Sequence, residues 1–308
     1  MKKPSLLLTI IIACIMLNTQ LLAQGESALT KLQLNNALQS TYYILVQTGL
    51  EDEMGSIFET GTGFLVADGY IITNAHVVYN LTTQGKIYIA NEFSNDLIEA
   101  KLVSMDTLCD KSDPGITDLA LLKFDKDLQK NDQAPVTLNL RFQKLQSVMA
   151  IGYPHVLVSI NFSHQEVLQG QLKKIQEHSV VTTPGIINAI AEGESTGILV
   201  HSAQISKGNS GGPLLNENGE VIGINTWNRG MSSYRASSNM AQPAITIAIF
   251  LKHNNINPTF VSDQTISSSA DKSDKNISYD HNPCLLSGKS LKLLPFDEKK
   301  RVSHTLSP

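Results

Sequence analysis

The chain has 308 residues, 42% of them hydrophobic, enough to fill one large or two small cores. Its formal net charge of −4 carries no basic surplus of the kind a nucleic-acid-binding chain needs, so no nucleic-acid partner is expected. Lys2 and Lys3 precede an apolar run from Leu6 to Leu17, and Leu21-Leu-Ala-Gln24 offers a small residue at a cleavage point after Ala23. This is the layout of a secretory signal peptide over residues 1–23. An uncleaved anchor is the rival reading, but Thr9 interrupts the run and Asn18 ends it, short of the ~20 apolar residues a span requires. Lipidation at Cys14 is a third reading, against which the apolar run continues past that residue. The mature protein is therefore expected to be periplasmic or secreted, with no integral membrane span. Export would leave Cys109 and Cys284, which an oxidising compartment permits to pair and which otherwise stay free thiols.

A leader follows over residues 24–40, where Leu29, Leu32, Leu34 and Leu38 make a partly helical pattern behind Ser27; a loosely packed leader is the alternative. Thr41 to Gln47 is rich in β-branched and aromatic residues and reads as the first strand. Further strands are predicted at Ser56–Glu59, Gly63–Val66, Tyr70–Thr73, Lys86–Ala90, Leu97–Ser104 and Leu119–Phe124. Short strands separated by Gly, Asn and Asp argue for closed antiparallel barrels rather than a parallel sheet. The polar stretch Asp125–Pro135 marks a crossover, dividing a first unit at 41–130 from a second at 131–257. The second unit holds predicted strands at Val136–Leu140, Gln146–Ile151, Val156–Phe162, Glu166–Lys173, Gly197–Gln204, Leu214–Leu215 and Glu220–Asn225. Ile245–Leu251 reads as a strand running into a C-terminal helix. Residues 258–308 change character, with Ser, Asp, Lys and Asn dominating Val261–Asn282, and are expected to form a largely disordered tail.

Three segments carry chemistry. Ser206-Lys-Gly-Asn-Ser-Gly-Gly-Pro-Leu-Leu215 combines a hydroxyl, Ser210, with glycines that let the N–H groups of Gly208 and Ser210 converge on one point, as an oxyanion hole requires. A serine hydroxyl is a weak nucleophile, so such a site also needs a histidine base and an orienting carboxylate. Gly61-Thr-Gly-Phe-Leu-Val-Ala-Asp-Gly-Tyr-Ile-Ile-Thr-Asn-Ala-His76 delivers His76 after an apolar strand, and Thr117-Asp-Leu-Ala-Leu-Leu122 puts Asp118 at the mouth of a buried one. Asp106, Asp110 and Asp113 compete for the orienting role from a polar loop, where burial would not shield the bond to the imidazole. His155, His164, His178 and His253 show no metal-ligand spacing and read as surface or structural, while His201 is a candidate to line a pocket.

These segments resemble the His, Asp and Ser boxes of the trypsin-like serine proteases, most nearly the HtrA/Deg branch, in the order His, Asp, Ser. The resemblance implies an all-β fold of two antiparallel six-stranded barrels of chymotrypsin type, with short N- and C-terminal helices and an active site in the cleft between barrels. His76, Asp118 and Ser210 would be the catalytic triad. Gly223-Ile-Asn-Thr-Trp227 resembles the strand on which such enzymes pair a substrate backbone, making Asn225, Thr226 and Trp227 candidate substrate-binding residues. Gln204, six before the nucleophile, would stand at the base of the primary pocket, where the lack of a carboxylate argues against cleavage after Lys or Arg. His201-Ser-Ala-Gln-Ile205 departs from the threonine and aspartate usual in the HtrA branch. HtrA proteins usually carry a PDZ domain after the protease, and residues 258–308 lack the strands for one.

The expectation is thus an exported serine endopeptidase acting on polypeptide substrates, with no metal or organic cofactor and with homo-oligomer formation left open. Its rivals are a binding or chaperone-like protein on the same fold with a silent or gated triad, and an esterase with the same triad.

Overall fold

The computed structural model of the chain describes residues 31–53, 55–93, 97–106, 117–129, 133–155, 168, 180–191, 197–229 and 238–261. The expected signal peptide and the start of the leader, Cys109 and Cys284, the predicted strands at 156–162 and 166–173, and residues 262–308 of the expected tail lie outside the described residues. No helix among the described residues is long and apolar enough to cross a membrane.

The first barrel is built from β1 (Thr41–Asp52), β2 (Gly55–Ala67), β3 (Tyr70–Thr73), β4 (Lys86–Ala90), β5 (Ile98–Asp106) and β6 (Leu119–Phe124). Its strands close in the order β1-β2-β3-β6-β5-β4, with β4 returning to pair with β1. The apolar run of β1 alternates between two cores, as the two-residue period of a strand dictates. Tyr42, Ile44 and Val46 fill the barrel with Leu65, Ile71, Ile89 and Leu122, while Tyr43 and Leu45 face outward against Tyr153 of the second barrel. Strand β6 does the same, with Ala120 and Leu122 inside and Leu119 and Leu121 against the second barrel. Burial on both faces explains why these strands read as unbroken hydrophobic runs.

The second barrel comprises β8 (Ser147–Gly152), β9 (Val181–Ala191), β10 (Ile198–His201), β11 (Pro213–Asn216), β12 (Val221–Arg229) and β13 (Ser238–Pro243), closing in the order β11-β8-β9-β10-β13-β12 through the pairing of β11 with β12. Two short strands, β7 (Thr137–Leu138) and β14 (Thr259–Phe260), add in parallel beside β12. The fold is therefore the expected pair of six-stranded antiparallel barrels.

A helix over residues 31–39, α1, and the helix α3 (Ala244–His253) both pack on the seam between barrels. Ala37 of α1, Phe64, Ile72 and Leu121 of the first barrel, Leu215 and Ile224 of the second, and Ile247 and Leu251 of α3 share one buried cluster. The end of the leader is consequently tied down rather than loose. Asn36 Oδ1 accepts from the Ala134 N–H at 3.2 Å, and Ser40 Oγ donates to the Ala134 carbonyl at 2.7 Å.

Several strand boundaries differ from the expectation. The two segments predicted around Gly61 form the single strand β2, paired with β1 continuously from Glu59 to Phe64. Gly61 and Gly63 act there through close contact rather than as breakers: a Cβ on Gly63 would come within 2.6 Å of the Ile71 side chain. Strand β9 has no counterpart among the predicted strands, and it contains Pro184-Gly185, a dipeptide type more often found in turns. Pro184 nonetheless pairs in register with Met149, and Gly185 lies against Ala203, whose backbone nitrogen would be 2.2 Å from an added Cβ. Ile245–Leu251 is helical, and the strand β13 ends just before it.

Candidate active site

The first barrel presents a histidine and a carboxylate. His76 lies on the one-turn helix α2 (Ala75–Val78), which β3 feeds directly and whose Val77 and Val78 are buried in the barrel core. Asp118 immediately precedes β6 and is 6% exposed. Its carboxylate holds His76 at two points: Oδ1 accepts the His76 backbone N–H at 2.9 Å, and Oδ2 lies 2.6 Å from Nδ1. An ionised carboxylate only accepts, so Nδ1 carries the proton and the lone pair is left on Nε2, as a general base requires. The imidazole remains half-exposed, with 46% of the side chain accessible. Asp106 belongs to β5, paired with Leu119, and Asp110 and Asp113 lie outside the described residues.

The second barrel presents the turn Ser206–Gly212 that carries the candidate nucleophile Ser210, termed the nucleophile turn for that candidate. The Asn209 N–H donates to the Ser206 carbonyl at 3.0 Å and Gly208 has φ +98°, the combination that defines a type II turn with glycine in its third position. The carbonyls along this turn are engaged one after another. Lys207 O accepts from the His155 N–H at 2.7 Å, Gly208 O from Thr62 Oγ1 at 2.7 Å, Asn209 O from the Gly212 N–H at 3.0 Å, and Ser210 O from the Thr62 N–H at 2.9 Å. In a trans peptide the C=O and the following N–H point in opposite directions. Pinning Lys207 O and Asn209 O therefore turns the N–H groups of Gly208 and Ser210 away from them. Among the described residues those two N–H groups have no acceptor, whereas Asn209, Gly211 and Gly212 all donate within the protein. Two such donors, separated by one residue on a turn whose carbonyls are pinned, suit a site for one developing negative charge.

Glycine is required where the turn meets its supports. A Cβ on Gly208 would lie 2.4 Å from Tyr153 O and 2.5 Å from His155 N, and one on Gly211, at φ +87°, would lie 2.0 Å from Thr62 O. The same Gly211 Cβ would meet Thr73 and Asn74, so the nucleophile turn lies against the residues that lead into α2. Buried Asn74 completes the link: its Nδ2 donates to Asp118 O at 2.7 Å and to Thr226 Oγ1 at 3.2 Å. Ser210 Oγ donates to the Thr226 carbonyl at 3.2 Å, and among the described residues no hydrogen bond joins it to His76.

The remaining predicted residues fall differently. Asn225 is fully buried; its Nδ2 donates to the carbonyls of Gly212 and Pro213 at 3.1 and 3.0 Å, so its side chain shapes the nucleophile turn rather than facing a substrate. The Thr226 side chain is buried as well, bonded to Asn74 and to the Ile224 carbonyl. The side chain of Trp227 lies outside the described residues, and its backbone, in β12, pairs with Met240 of β13. Gln204 is exposed and its carbonyl accepts from Thr183 Oγ1. His201 is 1% exposed on the core-facing side of β10, and among the described residues neither ring nitrogen has a hydrogen-bond partner; burial, partly offset by the nearby Ala203 backbone, pulls its pKa down to about 4. Among the described residues no group of three or more His, Cys, Asp or Glu could hold a metal ion. Residue-by-residue reading missed Thr62, Asn74 and the His155 backbone, although Thr62 and Asn74 sit inside the segment that identified His76.

Comparison with known proteins gives the chain's family. The trypsin-like peptidase domain family matches residues 61–224, more than half of the chain. The chain is 36% identical over 175 residues to a "Probable periplasmic serine endoprotease DegP-like" of Halomonas elongata, covering 54% of this chain and 29% of the relative. It is 33% identical over 174 residues to the serine endoprotease DegS of Haemophilus influenzae, covering 56% and 43%. It is 36% identical over 179 residues to the serine protease HTRA1A of Danio rerio, covering 54% and 30%. The match thus spans less than half the length of each relative.

Proposed function

This chain belongs to the trypsin-like peptidase domain family, and on that premise we propose that it is a serine endopeptidase of HtrA type that hydrolyses peptide bonds in unfolded or damaged proteins. Ser210 attacks the scissile carbonyl and His76 Nε2 takes its proton, later returning it to the leaving amine. Asp118 holds the imidazole tautomer and stabilises the imidazolium that forms, while the N–H groups of Gly208 and Ser210 receive the oxyanion. The observation that carries this reading is the pair of N–H groups at Gly208 and Ser210 that have no acceptor among the described residues, on a turn whose carbonyls from Lys207 to Ser210 are all engaged. An ordinary glycine-rich turn has no need to leave two adjacent N–H groups unused. Export to the periplasm or beyond is part of the proposal, supported by the Lys2–Ala23 segment and by the naming of the Halomonas relative as periplasmic.

One observation favours a second reading, a gated form of the same site. The Ser210 hydroxyl is directed at the Thr226 carbonyl, so the Ser–His hydrogen bond has to form when substrate arrives or when a regulator binds. A binding role without turnover is the limit of that reading.

Full-length protein and Ser210→Ala are to be compared for labelling by a fluorophosphonate probe, cleavage of unfolded casein and suppression of aggregation. Rapid labelling and cleavage by the wild type alone are expected. Equal suppression of aggregation by both proteins, with no labelling or cleavage under any activating condition, replaces the protease by the binding protein.

A further inference from the structure

Thr62 sits at the centre of the contacts that hold the nucleophile turn, and it comes from the opposite barrel. Its hydroxyl donates to Gly208 O at 2.7 Å and accepts from the Tyr153 N–H at 2.9 Å. Its backbone N–H donates to Ser210 O at 2.9 Å, and its carbonyl accepts from Thr73 Oγ1 at 2.6 Å. The residue is fully buried. Gly61 and Gly63 flank it, and strand alternation points their missing side chains to the opposite face, where Val77, Ile71 and Ile44 leave no room for a Cβ. The Gly-Thr-Gly arrangement therefore presses this stretch of β2 between its own barrel and the nucleophile turn.

The position of these bonds matters more than their number. The peptide joining Gly208 to Asn209 lies between the two peptides whose N–H groups face the oxyanion position. Its N–H is held by Ser206 O and its carbonyl by Thr62 Oγ1. If the carbonyl is released, this peptide can rotate, and rotation carries the Gly208 and Ser210 N–H groups apart because both are attached through its α-carbons. The same hydroxyl saturates the Tyr153 N–H, next to the Pro154-His155 stretch that pins Lys207 O. One side-chain oxygen thus ties the turn to the segment beneath it.

We propose that Thr62 is a positioning residue of the oxyanion site: through its hydroxyl the first barrel sets the angle between the two donors of the second. This deepens the proposed protease reading and rests on it. The tie also makes turnover depend on the docking of the barrels, because the bond crosses between them. Threonine suits such a position, since its Oγ donates and accepts at once and β-branching limits its rotamers in the strand.

The test compares wild type, Thr62→Val and Thr62→Ser, all full length, on a fluorogenic peptide and against a peptide aldehyde that mimics the tetrahedral intermediate. Thr62→Val keeps the shape and removes the hydroxyl. Its kcat is expected to fall about 10- to 100-fold with KM within about twofold, as for a misplaced transition-state donor. Aldehyde affinity should fall with kcat, and Thr62→Ser should recover most of both. If Thr62→Val does not fold, Thr62→Ala, whose vacated space admits a water, replaces it in the same comparison. A kcat within about threefold of wild type in a folded hydroxyl-free variant overturns the proposal, as does a loss that appears in KM and not in kcat. A wild type that does not turn over at all sinks the protease reading itself, an outcome distinct from either.

Discussion

Replacing Gly208 by alanine tests the oxyanion geometry most directly. The residue sits at φ +98°, where an L side chain costs about 1–2 kcal/mol from local sterics alone. An added Cβ would also stand 2.4 Å from Tyr153 O and 2.5 Å from His155 N. Both are backbone atoms, which cannot rotate aside as a side chain would, so the turn has to change. The available change is from type II towards type I, with φ at the third position becoming negative and the central peptide turning over. That movement takes Lys207 O off the His155 N–H and carries the Gly208 N–H out of the site. Loss of one such donor lowers kcat by about 10²–10³, or roughly 2.7–4 kcal/mol. KM should change little, because the charge this donor stabilises exists in the transition state and not in the bound substrate. Steady-state kinetics with active-site titration, alongside a thermal melt to confirm folding, make the measurement. A folded Gly208→Ala enzyme with wild-type kcat refutes the assignment of the Gly208 N–H.

Asp118→Asn should cut turnover by about 10⁴ while the fold survives, because Oδ1 and Oδ2 each accept a donor from His76 and an amide can accept at only one of its two positions; kcat near wild type would remove Asp118 from the machinery. His201 predicts a pH effect on stability. Burial depresses its folded pKa to about 4, below the 6.5 of an exposed histidine, so the unfolded chain takes up the proton first as the pH falls. This contribution to stability is complete above about pH 6.5 and is lost between there and about pH 4, on the order of 3 kcal/mol in all. His201→Leu should flatten denaturant midpoints over that window, and an unchanged slope would show that another group is responsible.

Much of this protein was legible in its sequence because the chemistry depends on residue types that few other roles demand together. A glycine-rich serine turn, a histidine after an apolar strand and an aspartate at the mouth of a buried one pointed to His76, Asp118 and Ser210 before any contact was known. Short apolar runs bounded by well-placed turn residues also identified β3, β4 and β6 with their observed limits. Local signals failed where tertiary contact overrode them. Pro184-Gly185 looks like a turn, yet it lies within a strand because the neighbouring strand and Ala203 hold it extended. Ile245–Leu251 is apolar without a clear period, and only packing across the seam between barrels makes it a helix. The supports of the site belong to the same class. Thr62 lies 148 positions before Ser210 in the chain, yet two of its hydrogen bonds reach the nucleophile turn. Nothing in a local pattern distinguishes its hydroxyl from that of any strand threonine. The sequence by itself determined which groups are the candidates for the chemistry; the docking of two barrels decided what holds them, because a hydrogen bond between distant segments exists only once both have folded.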